Sequence, residues 1–469
     1  MDREHDPSTL RPVFRLIAHS MRGRAWLLSS AFVAAVVVGG VHAQTIVSSW
    51  EYSSKADIVR VRQITDGGVF VCTKFQEVDR QVVPDTNALY YVGPDGSVQW
   101  KYIPPEGHRV SLLDSTLDGR YALAKTVLAD CSGSTMRLLL LDKTGQAVRE
   151  MGPLEDSDWV WLSPNARSVI RWIESKKDVV RDDITSGANT WGLDTVKADI
   201  VRESISFVQP IWAVGCVLIG DSEHGNIAAI SLNGKALWRM KNLNWYPPAK
   251  SPVVISDSGA WLLFSSAKKA TPTTDSDKDM EYYSYNAGGA ARSTYNDQLK
   301  LMNIRMSLDN PGEQEQADVV WGREIGSNII TERESPIRTG AAGGTVVSLS
   351  LCDCQSEGRI YGTVVTSSAV TVLEFSPTGD LARDVSWPVS DVSSVYDAWL
   401  LSPRLLVVRR PKTKTASEAV QVLDSTGNVV WEKRPGEPII SVVVDCNRSR
   451  LLLATLHTAA CYHVQSSAH

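Results

Sequence analysis

Short apolar runs alternate with tight turns along most of this chain, as in 89-LYYVGPDGSVQWKY-102, 228-AAISLNGKALWRM-240 and 420-VQVLDSTGNVVWEK-433. An apolar run, a glycine turn and a second apolar run together predict a β-hairpin. Four glycines are followed four residues later by tryptophan: Gly96/Trp100, Gly187/Trp191, Gly234/Trp238 and Gly427/Trp431. With 32 Gly and 15 Trp in 469 residues, chance places about one such pair, so the shared pattern marks a repeat. Asp95-Gly96 and Asn233-Gly234 suit a two-residue turn with positive φ at both central positions. Lys143-Thr144-Gly145, Pro377-Thr378-Gly379 and Ser425-Thr426-Gly427 end on glycine in a looser turn. Gly145 and Gly379 lead to Arg149 and Arg383 instead of Trp, and the arginine stems are expected to keep the packing role.

A second turn recurs upstream of the first, as Asp66-Gly67-Gly68, Asp118-Gly119, Ser163-Pro164-Asn165, Asp257-Ser258-Gly259, Ser402-Pro403 and Cys446-Asn447-Arg448. Two hairpins per repeat give four strands. The closing strand of each unit is marked by Trp50, Trp100, Arg149, Trp191, Trp238, Trp321, Arg383 and Trp431, mostly 42 to 50 residues apart. Four strands at that period predict an all-β chain folded as a β-propeller of eight four-stranded blades, with seven as the alternative. Two intervals are longer. They contain the polar segments 267–297, expected between the second and third strands of its blade, and 331–344; both are expected to be surface insertions.

The segment 46-IVSSWEY-52 reads as a final strand with no blade before it, and 439–464 reads as three strands without a fourth. Pairing them closes the ring and covers two sheet edges. Ahead of the repeats, Arg11, Arg15, Arg22 and Arg24 precede the apolar run 25–41, and Val41-His42-Ala43 supplies a cleavage site. Residues 1–43 are therefore expected to be a signal peptide or an uncleaved membrane anchor, and 44–469 the propeller. Under either reading the propeller is exported: periplasmic, secreted, or anchored outside the cytoplasm.

Residues 1–43 hold five arginines and three acidic residues, which leaves 43 basic and 50 acidic side chains, a net charge of −7, in the propeller. That balance does not favour nucleic acid. Of seven cysteines, Cys446 and Cys461 are predicted on adjacent strands of the last blade and are the first choice for a disulfide; buried free thiols are the alternative. Cys352-Asp353-Cys354 lacks a second Cys or His pair nearby, so no metal site is predicted.

The strand–turn–strand unit with glycine in the turn and Trp in the closing strand (PDGSVQWKY, LNGKALWRM, STGNVVWEK) resembles the quinoprotein-type, pyrroloquinoline-quinone-like β-propeller repeat. That repeat is shared by quinone-dependent dehydrogenases and by the non-catalytic propeller scaffold of outer-membrane protein assembly, and arylsulfotransferase-like propellers use a similar turn. The dehydrogenases carry adjacent cysteines beside the cofactor and a longer chain. Here Cys352-Asp353-Cys354 is the nearest approach, so the resemblance implies the fold, in kind closest to the assembly scaffolds, and no cofactor.

An enzyme on this scaffold would need a nucleophile or base in the central channel. After residue 43 the histidines are His108, His224, His457, His463 and His469. Only His108, in 104-PPEGHRV-110, is placed to reach a ring face, and it also reads as a solvated loop histidine. Trp245 and Tyr246, in 244-NWYPP-248, and Tyr282, Tyr283 and Tyr285, in 280-MEYYSYN-286, are candidate anchors for a partner, or fold back to cap their own blades. The expected function is an exported cell-envelope scaffold for protein or envelope-polymer partners, more a binding protein than an enzyme. It touches a membrane only through an uncleaved amino-terminal segment. The alternative is a propeller enzyme of quinoprotein or arylsulfotransferase-like type with a central-channel site.

Overall fold

A computed structural model of the chain describes residues 44–78, 81–83, 85–129, 135–155, 157, 159–192, 200, 202–212, 215–221, 226–232, 234, 236–240, 253–256, 261–269, 295–303, 323–325, 346–354, 358–366, 369–377, 381–413 and 417–466. Residues 1–43 and 331–344 lie outside these. Two compact units divide the chain, Met1–Thr45 with Val464–His469, and Ile46–His463. In the first, the described residues are the two ends of strands; the second holds the repeats.

The strands run β1 (Gln44–Ser53), β2 (Ile58–Gln63), β3 (Val69–Thr73), β4 (Glu77–Val78), β5 (Gln81–Val82), β6 (Leu89–Val92) and β7 (Val98–Tyr102). Next come β8 (His108–Ser115), β9 (Tyr121–Leu128), β10 (Thr135–Asp142), β11 (Ala147–Glu155), β12 (Val160–Leu162), β13 (Ser168–Ile173), β14 (Asp178–Asp183) and β15 (Asn189–Gly192). β16 (Ile205–Ile211), β17 (Cys216–Asp221), β18 (Asn226–Ser231) and β19 (Ala236–Met240) are followed by β20 (Val253–Ile255), β21 (Trp261–Lys269), β22 (Tyr295–Asn303) and β23 (Arg323–Ile325). The last are β24 (Val346–Cys354), β25 (Arg359–Thr366), β26 (Val370–Phe375), β27 (Leu381–Trp387), β28 (Asp397–Ser402), β29 (Leu405–Arg410), β30 (Ala419–Asp424), β31 (Val429–Lys433), β32 (Ile439–Asp445), β33 (Arg450–Thr455) and β34 (Thr458–Ser466). Among the described residues helix is confined to two single 3-10 turns, Arg202–Ser204 and Val392–Ser394.

These strands form eight four-stranded antiparallel sheets and the small hairpin β4–β5. Blade 1 is β2-β3-β6-β7, blades 2 to 7 take four consecutive strands each from β8 to β31, and blade 8 has the order β1-β34-β33-β32. The first strand of the chain therefore completes the last blade, as the two unfinished ends required. Ser49 Oγ and His463 Nδ1, 2.7 Å apart, tie β1 to β34. The sheets follow one another around a ring, a β-propeller. The first strands of neighbouring blades touch (β2 with β32 and β8, β8 with β12, β20 with β24, β24 with β28, β28 with β32), so these strands are the ones nearest the axis.

Middle strands such as β3 are apolar on both sides because each side feeds a different core. In β3, Val69 and Val71 pack with Trp50, Leu452 and Ala454 of blade 8, while Phe70 and Cys72 pack with Val110, Leu112 and Ala124 of blade 2. Alternation along a strand thus becomes alternation between neighbouring interfaces. The same holds at β13, where Val169 joins blade 2 through Leu138 and Ile170 joins blade 4 through Val217 and Ile219.

The glycine–tryptophan repeat has its cause in these interfaces. Among the described residues, Trp50, Trp100, Trp191 and Trp431 of the closing strands dock on the next blade around the ring. A Cβ at Gly96 would lie 2.8 Å from Trp50 Cβ, one at Gly145 2.9 Å from the Trp100 ring, and one at Gly234 3.3 Å from Trp191 Cγ. The indole N–H of Trp50 donates to Gly67 O (3.1 Å) and that of Trp191 to Leu232 O, in both cases on the following blade. Trp431 meets Tyr462 of blade 8 edge-on, with ring centroids 4.8 Å apart.

Three expectations are corrected. Asp95-Gly96 is not a two-residue turn. Gly96 N donates to Gly93 O, Gly93 N to Ser97 O, and only Gly96 of the pair has positive φ (79°). The turns at Asp142–Gly145 and Asp424–Gly427 follow the same pattern, with a register shift beside each; all three are the looser turn with a glycine bulge. Arg149 and Arg383 are exposed and do not replace the Trp. In blade 6 the docking residue is Trp387, 6% exposed, whose Nε1 donates to Asp424 O of blade 7 at 2.7 Å. Cys446 and Cys461 are both free, buried thiols. Cys446 lies just beyond β32 and Cys461 in β34, with β33 between those strands. Two strand spacings, about 9.5 Å, exceed the reach of a disulfide.

Candidate functional site

The strand order gives the ring two unlike faces. The turns between first and second and between third and fourth strands share one face, called here the turn face. Connections between second and third strands and from blade to blade share the other, the connection face. The turn face is built alike from blade to blade. Asp142 Oδ1 accepts from Thr144 N (2.8 Å), Thr144 Oγ1 (2.6 Å) and Gln146 N (3.2 Å), and Asp424 Oδ1 accepts from Thr426 N (2.9 Å), Thr426 Oγ1 (2.6 Å) and Asn428 N (2.9 Å). These carboxylates are spent on their own turns, and those hydrogen bonds hold Asp142 and Asp424 below the usual carboxylate range, against some burial at Asp424.

The connection face is varied, as expected of the face that carries function on a repeated scaffold. The chain leaves it at Lys269 and returns at Tyr295, and leaves at Ile325 and returns at Val346. Residues 267–269 and 295–297, expected in the first insertion, are instead the ends of β21 and β22, and residues 270–294 and 331–344 lie outside the described residues. Trp245, Tyr246, Tyr282, Tyr283 and Tyr285 lie outside the described residues. What the described residues place here are exposed apolar groups and bridged charges. Ile103 is 63% exposed, Leu128 48%, Trp159 40% and Tyr396 40%. The turn face contributes Leu117, and the outer strands Val98, Val148, Val429 and Val430, but no exposed aromatic ring among the described residues.

His108 opens β8 at this face. Its Nδ1 lies 3.1 Å from Glu106 O, its backbone carbonyl accepts from Asn87 Nδ2 at 2.7 Å, and it pairs with Leu128 across the sheet. Beside it the Arg109 guanidinium covers the Phe75 ring, 4.6 Å from the centroid. This is a cation–π contact on a loop joining strands of blade 1. On the axial strands the arginines bridge blades: Arg60 donates to Leu112 O (2.7 Å) and Arg62 to Leu113 O (3.3 Å). Asp114, which accepts from Leu162 N at 2.8 Å, has its carboxyl raised by burial, with Arg62 opposing. Arg60, Arg62 and Asp114 are thus engaged in holding neighbouring blades together.

Two further charge clusters on the connection face tie blade 8 to its two neighbours. Arg409 of blade 7 donates to Glu418 Oε1 (2.7 and 2.9 Å) and to Ile439 O (2.9 Å), while Ile439 N donates to Glu418 Oε2 (2.9 Å). The Arg–Glu pair thereby satisfies both backbone groups at the start of blade 8. Between blades 8 and 1, His457 Nδ1 lies 2.9 Å from Glu437 Oε1 and Nε2 lies 3.2 Å from Asp57 Oδ1. His457 N and Thr455 Oγ1 also donate to Glu437 Oε2, at 3.1 and 3.0 Å. Carboxylates only accept, so both ring contacts are hydrogen bonds when the imidazole carries both protons. Sequence reading gave His457 no role, because its partners are 20 and 400 residues away.

The hydrogen bond from His457, aided by the Thr455 hydroxyl and the His457 amide, holds the Glu437 carboxyl below its ordinary range. A depressed carboxylate contributes stability above its unfolded pKa and loses it as pH falls through the folded value. The expected result is that Glu437→Gln lowers the melting temperature at pH 6 to 7 and converges with the wild type in acid. The effect is at most about 1 kcal/mol because the site is solvated. Melting curves between pH 3 and 7 check this; a constant difference across the range excludes the assignment.

Among the described residues no group of three His, Cys, Asp or Glu is placed to hold a metal ion. Cys352 and Cys354 lie at the end of β24, opposite Tyr361 and Arg359 of β25.

No family model matches the chain, and no curated protein matches it in sequence. Among solved structures it is similar to BamB from Moraxella catarrhalis, with 14% identity over 89% of this chain and 100% of that one and a TM-score of 0.49. It is similar also to the Dos1 propeller, with 10% identity over 89% and 95% and a TM-score of 0.48. The dihydro-heme d1 dehydrogenase NirN is a third, with 12% identity over 86% and 69% and a TM-score of 0.43. Likeness at this level says nothing of ligands or activity.

Proposed function

We propose that this chain is an exported cell-envelope β-propeller that holds a protein or envelope-polymer partner on its connection face. The observation that carries the reading is the contrast between the two faces. The turn face spends its polar groups on its own turns, whereas the connection face keeps Trp159, Tyr396, Ile103 and Leu128 exposed among bridged charges. Exposed aromatics of this kind anchor interfaces when a partner covers them. The arginine-rich, apolar leader at residues 1–43 supports export.

The test is site-specific photo-crosslinking in intact cells, with a photoreactive residue at Ile103 or Tyr396 on the connection face and at Leu117 on the turn face. Crosslinked envelope material is expected from the first two positions and not from Leu117. Equal yields from both faces, or crosslinks to cytoplasmic material alone, would sink the reading.

A further inference from the structure

Blade 3 carries a tryptophan ladder whose outer member, Trp159, is left exposed. The segment 157-SDWVW-161 alternates two indoles along the edge of the sheet, and Trp172 stands on the neighbouring strand. Trp159 and Trp161 have ring centroids 6.4 Å apart at 68°, and Trp159 and Trp172 6.5 Å apart at 38°. The ladder runs from core to surface. Trp172 is 3% exposed within the interface to blade 4, Trp161 is half-buried against the same core, and Trp159 is 40% exposed. Trp159 is also held in place. Its carbonyl accepts from Trp172 N at 2.9 Å and its N–H reaches Ser157 Oγ at 3.2 Å, while that hydroxyl donates to Trp172 O at 2.5 Å.

Polar groups edge this surface. Trp172 Nε1 donates to Glu174 Oε2 at 2.5 Å, Lys177 pairs with the other oxygen of Glu174, and the same ammonium lies 6.0 Å over the Trp172 ring. On the same turn Lys176 pairs with Glu155 at 3.1 Å. The indole and lysine hydrogen bonds keep Glu174 below its ordinary pKa, so it stays an acceptor at neutral pH. Among the described residues the edge therefore offers two carboxylates and two ammonium groups.

We propose that this ladder is a binding site for a neutral pyranose unit of a polysaccharide. The inference rests on reading the connection face as the interaction face and names one class of ligand for it. A pyranose has an apolar face of C–H groups and a ring of hydroxyls, each both donor and acceptor. The first suits a fixed, exposed indole; the second suits paired carboxylates and ammonium groups. A wholly apolar ligand would strip water from Glu174 and Lys177 and return nothing.

Maltotetraose, cellotetraose and N-acetylchitotetraose, titrated into the purified full-length protein by calorimetry and by tryptophan fluorescence, test the site, with hexaglutamate and hexalysine as charged probes. At least one neutral tetrasaccharide is expected to bind, with Kd on the order of 1 mM. Trp159→Ala should weaken it about tenfold or more, Trp159→Tyr less because a ring remains, and Leu117→Ser not at all. The Tyr variant guards against misreading a folding defect in the Ala variant. The inference falls if no neutral tetrasaccharide binds, if both Trp159 variants bind like the wild type, or if only the charged hexapeptides bind. Crosslinks from Ile103 or Tyr396 that persist without saccharide binding would remove this site and leave the broader function standing.

Discussion

Replacing Gly427 by alanine is expected to cost about 3–4 kcal/mol of stability, whereas the same change at Gly187 should cost only about 1. Both glycines sit in turns between third and fourth strands with positive φ, 86° and 68°. Both substitutions therefore carry the left-handed penalty of about 1–2 kcal/mol. The difference lies in what each added methyl meets. At Gly187 nothing lies within 4 Å. At Gly427 the Cβ would land on the Pro388 carbonyl oxygen, with Pro388 C and Cγ each 3.0 Å away. Those are mostly backbone atoms of blade 6, next to Trp387, whose indole is already bonded to Asp424 O in the same turn. Neither side yields without opening the interface between blades 6 and 7. Urea unfolding of the two variants beside the wild type measures the contrast; equal losses would show that the close approach across the interface contributes nothing.

The same turn shows what could be read in the chain and what could not. Glycine at the turn, Trp in the closing strand and the split last blade are local or periodic signals, and they led to the propeller because chemistry and period agreed. The partner of each glycine was hidden. Four residues downstream stand Trp100 after Gly96 and Arg149 after Gly145, yet Gly96 receives Trp50 and Gly145 receives Trp100, each about one repeat upstream. Arg383 seemed to stand in for a Trp because the spacing was counted from Gly379. The docking residue, Trp387, lies four residues further on at the end of β27, opposite Val370. Turn subtype was misread at Asp95-Gly96 because the dipeptide fits two geometries and only the backbone hydrogen bonds distinguish them.

The candidate face was less legible for a related reason. Alternation in 157-SDWVW-161 could have suggested two indoles on one side of a strand. Their exposure depends on Trp172 and on blade 4, which supplies Val208, Val217 and Ile219 to bury the inner part of the ladder and leave the outer part bare. The seam cluster of Asp57, Glu437 and His457 joins both ends of the ring, so it exists only once the first strand has joined the last blade. Residues that meet only through closure leave no periodic trace, whereas those within a hairpin do.

Removing one member of the buried ion pair in blade 3 is the second large effect expected. Arg171 of β13 and Asp182 of β14 meet at 2.5 Å with side chains 5% and 4% exposed, and Arg171 Nη1 also lies 3.5 Å from Glu155 O. Asp182→Ala leaves a guanidinium in the packed region between sheets, where water cannot reach it, and should cost about 3–5 kcal/mol. The pair itself need not be worth that much, since taking both charges out of water offsets most of their attraction. The double variant Arg171→Met/Asp182→Leu, which fills the same space with apolar groups, should therefore recover most of the loss and unfold within about 1–2 kcal/mol of the wild type. A double-mutant cycle by urea unfolding decides this. If Asp182→Ala is nearly neutral, the charge is solvated and the site is not buried as described. If the double variant is worse than either single change, the ion pair is a net source of stability in blade 3, and apolar packing alone does not hold its middle strands together.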